Sequence, residues 1–195
     1  MNDRAIESRL KTLRRNRLVG DAEGNVSFGS ADVKRILPHR EPLLFVDSID
    51  FVDLKRGVIR GHRIVAPDDP VFAGHFPAIP IYPGTSVVEM IGQLGLCLYH
   101  FVRNETLSIK SAVPANDIRA TKILGAHFLV PIRPGDTVTL EARGIDNDGL
   151  FASAEGQAIV KDKICCVSIG EVCFLEQPST SQRSVIDSRR SAFES

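Results

Sequence analysis

The chain has 195 residues, 43% of them apolar, with 24 basic side chains against 24 acidic ones. That length suits one domain with terminal extensions, and the even charge balance favours neither nucleic acid nor an anionic membrane as partner. No apolar run reaches the ~18 residues of a bilayer span, and the charged start Met1-Asn2-Asp3-Arg4 has no apolar signal core. A cytoplasmic protein is therefore expected.

Ile6, Leu10 and Leu13 fall at helical spacing among Arg9, Lys11, Arg14, Arg15 and Arg17. This predicts a short basic amphipathic helix, either packed on the domain surface or docking an acidic partner. Gly20 to Gly29 reads as a polar linker, so residues 1–29 form an N-terminal extension. Ser30 opens a short helix that Pro38 ends. Leu43–Val52 and Val58–Val65 read as strands, and Phe72–Pro83 as a loop punctuated by Gly and Pro.

Gly84–Val102 is the one long helical segment, apolar nearly all round, and such helices are usually buried. Glu89 is its only charge before Arg103. A lone carboxylate there needs a reason, because burying an unpaired charge is costly. Asn104–Asp117 is a polar loop. Four strand-like runs follow, at Ile118–Phe128, Thr137–Arg143, Phe151–Val160 and Ile164–Leu175. Residues 177–195 are rich in Ser and Arg without periodicity and read as a disordered tail. Cys97, Cys165, Cys166 and Cys173 make no C-x-x-C pair, which suits small buried hydrophobes in a reducing compartment rather than a metal site.

One long helix cannot cover both faces of a parallel sheet. The pattern predicts an α+β domain over residues 30–176: an antiparallel sheet wrapped around one long central helix, with a face or edge left for a second copy. The chemistry is concentrated in Phe72–Gln93. His75 stands in the loop, Gly84 supplies a free backbone N–H at a helix start, and Glu89 follows within the helix. These parts can move protons beside a carbonyl.

Three segments carry a resemblance. Leu37–Asp47 is similar to L-P-H-R-x-P-x-L-x-V-D. Phe72–Gln93 is similar to F-x-G-H-F-P-x-x-P-x-x-P-G-x-x-x-x-E-x-x-x-Q, with the spacing from His75 to Glu89 in register. His127–Asp136 is similar to x-F-x-x-P-x-x-P-G-D. Together they resemble the Glu-type (3R)-hydroxyacyl-acyl-carrier-protein dehydratases, whose architecture is the hotdog fold. The resemblance implies a homodimer, often assembled as a trimer of dimers, with each active site shared between two chains. It implies His75 as base, Glu89 as acid, the Gly84 N–H as the group that binds the thioester carbonyl, and Gln93 as a supporting residue. Apolar surroundings would favour the protonated form of Glu89 that an acid needs.

The activity so implied is dehydration of a (3R)-3-hydroxyacyl thioester, on acyl carrier protein or CoA, to the trans-2-enoyl thioester. It would serve fatty-acid or related polyene and secondary-metabolite biosynthesis, with no cofactor or metal needed. Two alternatives share the architecture: a hotdog acyl thioesterase, and a non-catalytic acyl-binding subunit of a heteromer. Some positions depart from the family pattern. Leu129 and Val130 stand where basic residues are usual, Thr85 and Ser86 replace apolar residues, and Met90 is larger than the usual Ala. His39 reads as structural, bonded to backbone near the dimer contact. His62, His100 and His127 read as surface or core residues, and Tyr82 as packing, or as lining or gating the acyl tunnel.

Overall fold

The computed structural model describes residues 2–109 and 118–174. The expected tail over 177–195, residue 175 of the expected last strand, and residues 110–117 of the expected loop lie outside them. In chain order the elements are α1 (Asp3–Leu13), α2 (Ser30–Ile36), β1 (Ser48–Asp53), β2 (Val58–Ile64), a 3₁₀ turn (Pro70–Ala73), α3 (Gly84–Asn104), β3 (Ile118–Phe128), β4 (Thr137–Asn147), β5 (Phe151–Val160) and β6 (Lys163–Phe174). The strands form one six-stranded sheet in the order β1-β2-β4-β5-β6-β3, and every neighbouring pair is antiparallel. This is the expected hotdog architecture.

The sheet sorts its side chains by the two-residue period of strands. Leu140, Ala158 and Cys166 lie side by side across β4, β5 and β6 and face α3. Their neighbours Glu141, Gln157 and Val167 form the next row, on the opposite face. α3 buries Val87, Met90, Ile91, Leu94, Cys97, Leu98 and Phe101. It approaches closely because Gly156 has no side chain: a Cβ there would collide with Ile91 and with the backbone of β4. At 21 residues α3 has the length of a bilayer span, yet one face is buried against the protein's own sheet, as in a core helix.

The expected burial all round α3 does not occur within one chain. Glu89, Gly92 and Val102 are exposed, and Val88 and Leu96 are half-buried. The first strand also starts later than expected, at Ser48 rather than Leu43, because Leu43 and Phe45 give backbone groups to the side chain of Gln93.

The N-terminal segment is part of the folded unit. α1 buries Ile6, Leu10 and Leu13 against Val167, Ile169 and Leu124 on the outer face of the sheet. That face also carries two carboxylates with almost no solvent access, Glu141 at 0% and Glu155 at 1% exposure. Buried charges need partners, and the N-terminal segment supplies them. Arg17 donates Nε and Nη2 to Glu141, at 3.0 and 2.8 Å. The Val19 N–H reaches the other Glu141 oxygen at 2.8 Å. Arg9 pairs with Glu155 at 3.1 Å, beside Arg143 from β4. Gln157 accepts from the Leu18 N–H and donates to the carbonyls of Leu13 and Asn16.

The expected linker is also engaged. Asn25 and Val26 donate backbone N–H groups to Asp50, and Phe28 exchanges backbone hydrogen bonds with Ile49, so the segment runs along β1. The basic helix therefore packs on the domain, and its Arg9, together with Arg17 just beyond it, is committed to the sheet. Lys11, Arg14 and Arg15 remain exposed. Leu10 is 2% exposed, so Leu10→Ala should lower the free energy of unfolding by about 2–4 kcal/mol. Urea denaturation followed by circular dichroism measures this, and a change below about 0.5 kcal/mol, the scale of a surface substitution, would show the helix to be loosely held.

Candidate active site

His75 follows the 3₁₀ turn, whose Val71 carbonyl accepts from the backbone N–H of both Gly74 and His75. The loop then folds back on itself. The His75 carbonyl accepts from the Ile81 N–H at 3.1 Å, and the His75 ring meets the Ile81 carbonyl through Nδ1 at 3.0 Å. A carbonyl oxygen only accepts, so Nδ1 carries the hydrogen and the lone pair of the neutral ring sits on Nε2. Phe76 stacks on the imidazole at 4.1 Å between centroids, and the His75–Phe76 peptide is cis. The ring is thus oriented from two sides, with its basic nitrogen pointing away from the backbone that holds it.

A cavity of about 580 Å³ opens beside His75, lined also by Tyr82, Gly84, Phe128 and Cys166. Gly84 is the first residue of α3, after Pro83 at the N-cap, so its N–H has no partner within the helix and lies at the positive end of the helix dipole. Phe128 lies directly over it. A Cβ at Gly84 would come within 2.7 Å of the Phe128 ring, so glycine is required for the ring and the helix start to meet. Tyr82 is buried against Phe72 and tied by its N–H to the Ile132 carbonyl, so it is a wall of the cavity rather than a gate. Burial raises the pKa of its hydroxyl. Burial also raises the Cys165 thiol and pushes Cys166 up to about 12. Neither thiol in this cavity is a ready nucleophile at neutral pH.

Glu89 lies one turn further along α3 and lines a different cavity, of about 430 Å³, between α3 and the sheet. Thr85 lines both cavities. Within one chain, therefore, His75 and Glu89 are not brought together. The Glu89 side chain is 48% exposed, so a single chain does not supply the apolar enclosure expected for it. Its Oε1 accepts from Gln93 Nε2 at 3.0 Å and lies 3.5 Å from His39 Nε2.

Gln93 is completely buried and paired through both ends of its amide. Besides Glu89 it donates to the Leu43 carbonyl at 2.8 Å and accepts from the Phe45 N–H at 2.8 Å. The Leu37–Asp47 segment thus packs against α3 beside Glu89, and His39 comes with it. His39 makes no backbone hydrogen bond through its ring among the described residues, in place of the expected structural one. Sequence reasoning missed its contact with Glu89, because no spacing relates two residues joined only through the turn after α2. His62 and His127 likewise approach carboxylates distant in sequence or on another element, Asp50 at 3.3 Å and Glu7 at 3.9 Å.

Comparisons with known proteins bear on the family and the fold. The FabA-like domain family matches residues 37–168. A 3-hydroxyacyl-[acyl-carrier-protein] dehydratase FabZ from Campylobacter jejuni is 38% identical over 128 residues, covering 66% of this chain and 84% of that protein. The protein of the same name from Sulfurovum is 34% identical over 138 residues, covering 70% of this chain and 90% of its own. Among solved structures, the dehydratase heterocomplex ApeI:P from Xenorhabdus doucetiae superposes with a TM-score of 0.55 at 17% identity, over 79% of this chain and 95% of that one, which is a likeness of fold. The chain belongs to the FabA-like domain family. α1 and the segment along β1 precede the matched residues.

Gln93→Leu should keep the volume but leave the Phe45 N–H and the Leu43 carbonyl without their partners. An unfolding penalty of about 2–4 kcal/mol is expected from two orphaned buried groups. Chemical denaturation measures it, and a stability equal to that of the parent chain would show that this amide does not hold the Leu37–Asp47 segment to α3.

Proposed function

We propose that this protein is a 3-hydroxyacyl-[acyl-carrier-protein] dehydratase, working in fatty-acid biosynthesis or a related pathway and in the cytoplasm, where the reducing environment suits its free cysteines. The observation that carries the reading is the His75 cavity: an imidazole held through Nδ1 shares it with the open N-terminus of a helix. The dehydratases related in sequence support the same reaction.

The residues divide the work as follows. The thioester carbonyl accepts from the Gly84 N–H, where the hydrogen bond and the helix dipole stabilise charge building on oxygen. His75 Nε2 takes a proton from C2. Glu89 gives a proton to the C3 hydroxyl, the C3–O bond breaks, and water leaves. The electron pair of the broken C2–H bond becomes the second C2–C3 bond of the 2-enoyl thioester. Hydroxide is a poor leaving group, so the acid is as necessary as the base.

The two groups line separate cavities of one chain, so the productive pair is His75 of one protomer with Glu89 of the partner subunit. The β3 edge and the exposed face of α3 support a homodimer. Ile123 on β3 is 67% exposed, an unusual degree for a large apolar strand residue. Val88, Gly92 and Leu96 line the cavity beside Glu89. A second copy pairing along β3 would cover that face and supply the enclosure that Glu89 lacks. The carrier surface is not the usual basic one: Phe128, Leu129 and Val130 are exposed at the His75 cavity.

His75→Ala and Glu89→Gln should each lower turnover of a 3-hydroxyacyl carrier-protein thioester by about 10² to 10⁴, the usual worth of a general acid or base. Mixing the two inactive variants, after proven subunit exchange, should restore part of the activity, because one mixed site holds an intact pair. Near wild-type turnover in both variants would refute the assignment of the two residues. Failure of the mixture to recover would place both groups of a working site in one chain.

A further inference from the structure

Pro38 ends the run from α2, and the turn after it is pinned by Arg40, whose Nη1 donates to the carbonyls of Leu37 at 3.0 Å and His39 at 2.6 Å. His39 is thereby held against α3. Its Nε2 lies 3.5 Å from Glu89 Oε1, and catalytic hydrogen bonds of that length commonly tighten when substrate is bound. Its Nδ1 is buried with no hydrogen-bond partner among the described residues. A lone pair is the less costly orphan there, since a second N–H would bury a donor, and with it a charge, without an acceptor. The hydrogen of the neutral ring therefore sits on Nε2, facing Glu89.

Gln93 donates to Oε1 at 3.0 Å, and the His39 Nε2–H stands 3.5 Å from the same oxygen, one small shift from a second hydrogen bond. Oε2 has no partner among the described residues. An oxygen that accepts two hydrogen bonds is a poor place for the acid's own proton. We propose that His39 is a positioning residue for Glu89: with Gln93 it claims Oε1 and so leaves the transferable proton on Oε2. When Oε2 passes that proton to the C3 hydroxyl and water departs, Glu89 is left as a carboxylate. Its new charge is shared by Oε1, where both donors already stand. Charge that appears only during the reaction is stabilised without reorganisation, so the effect falls on kcat. The inference rests on the reading of Glu89 as the acid.

The test compares two substitutions in the full-length protein, assayed with a 3-hydroxybutyryl carrier-protein thioester. His39→Phe keeps the ring and removes the donor. His39→Gln removes the ring and keeps an N–H at the Nε2 position. His39→Phe should lower kcat by about 10-fold or more, the worth of a hydrogen bond to a charged group, and leave KM within about 2-fold. His39→Gln should recover several-fold of that loss. Should His39→Phe fail to fold by circular dichroism, His39→Asn, whose amide is too short to reach Oε1, takes its place. A wild-type kcat in the donor-free variant overturns the proposal, as does a loss confined to KM, or a His39→Gln no better than His39→Phe. If Glu89→Gln retains full turnover, this inference and the acid assignment fall together. If Glu89→Gln is inactive and His39→Phe is not, the inference alone falls.

Discussion

The side-chain amide of Gln93 is the contact on which the site is built. A buried amide has to satisfy both of its ends, and this one does so with three groups from two parts of the chain: the Phe45 N–H and the Leu43 carbonyl before β1, and the Glu89 carboxylate on α3. The segment before β1 is thereby drawn out of the sheet and laid against α3. Glu89 gains a fixed oxygen, and His39 comes within reach of it. Neither a carboxylate nor an aliphatic side chain offers both the donors and the acceptor that this position uses.

The architecture was legible because it follows from periodicity. The strand runs alternate, the segment after Gly84 does not, and a single long helix leaves few ways to build a core. The loop histidine and the helical glutamate stood out as candidates because they stand in a sequence context that chance seldom assembles, but nothing local told that one chain keeps them in separate cavities. Local rules failed where distant groups meet. Leu43–Val46 has the β-branched and apolar character of a strand, yet its hydrogen bonds go to a side chain, which composition does not register. α3 looked fully buried because small and apolar residues surround it, whereas one chain covers only part of its circumference. His39 gave no signal, because its partner lies fifty residues away on another element.

The N-terminal segment shows how an outer sheet face can be covered by polar as well as apolar contacts. Val167 and Ile169 supply the apolar part. Glu141, Glu155 and Gln157 supply groups that are costly to bury unless each finds its partner, and Arg9, Arg17 and the backbone at Leu18 and Val19 provide them. Such an arrangement adds less net stability than an all-apolar one would, but it tolerates few alternative registers of the covering segment. Positive charge that sequence alone suggests is available for an acidic partner is, at Arg9 and Arg17, spent within the fold.

The run of Asn25–Phe28 along β1 has a consequence for growth. A sheet with two open edges is a monomer in the polymer chemist's sense: each addition presents a fresh edge, and nothing in the geometry says when to stop. Here one end of the sheet is occupied by the chain's own N-terminal segment. An incoming strand at β1 has to displace that segment first, so the same segment that completes the fold also guards this edge.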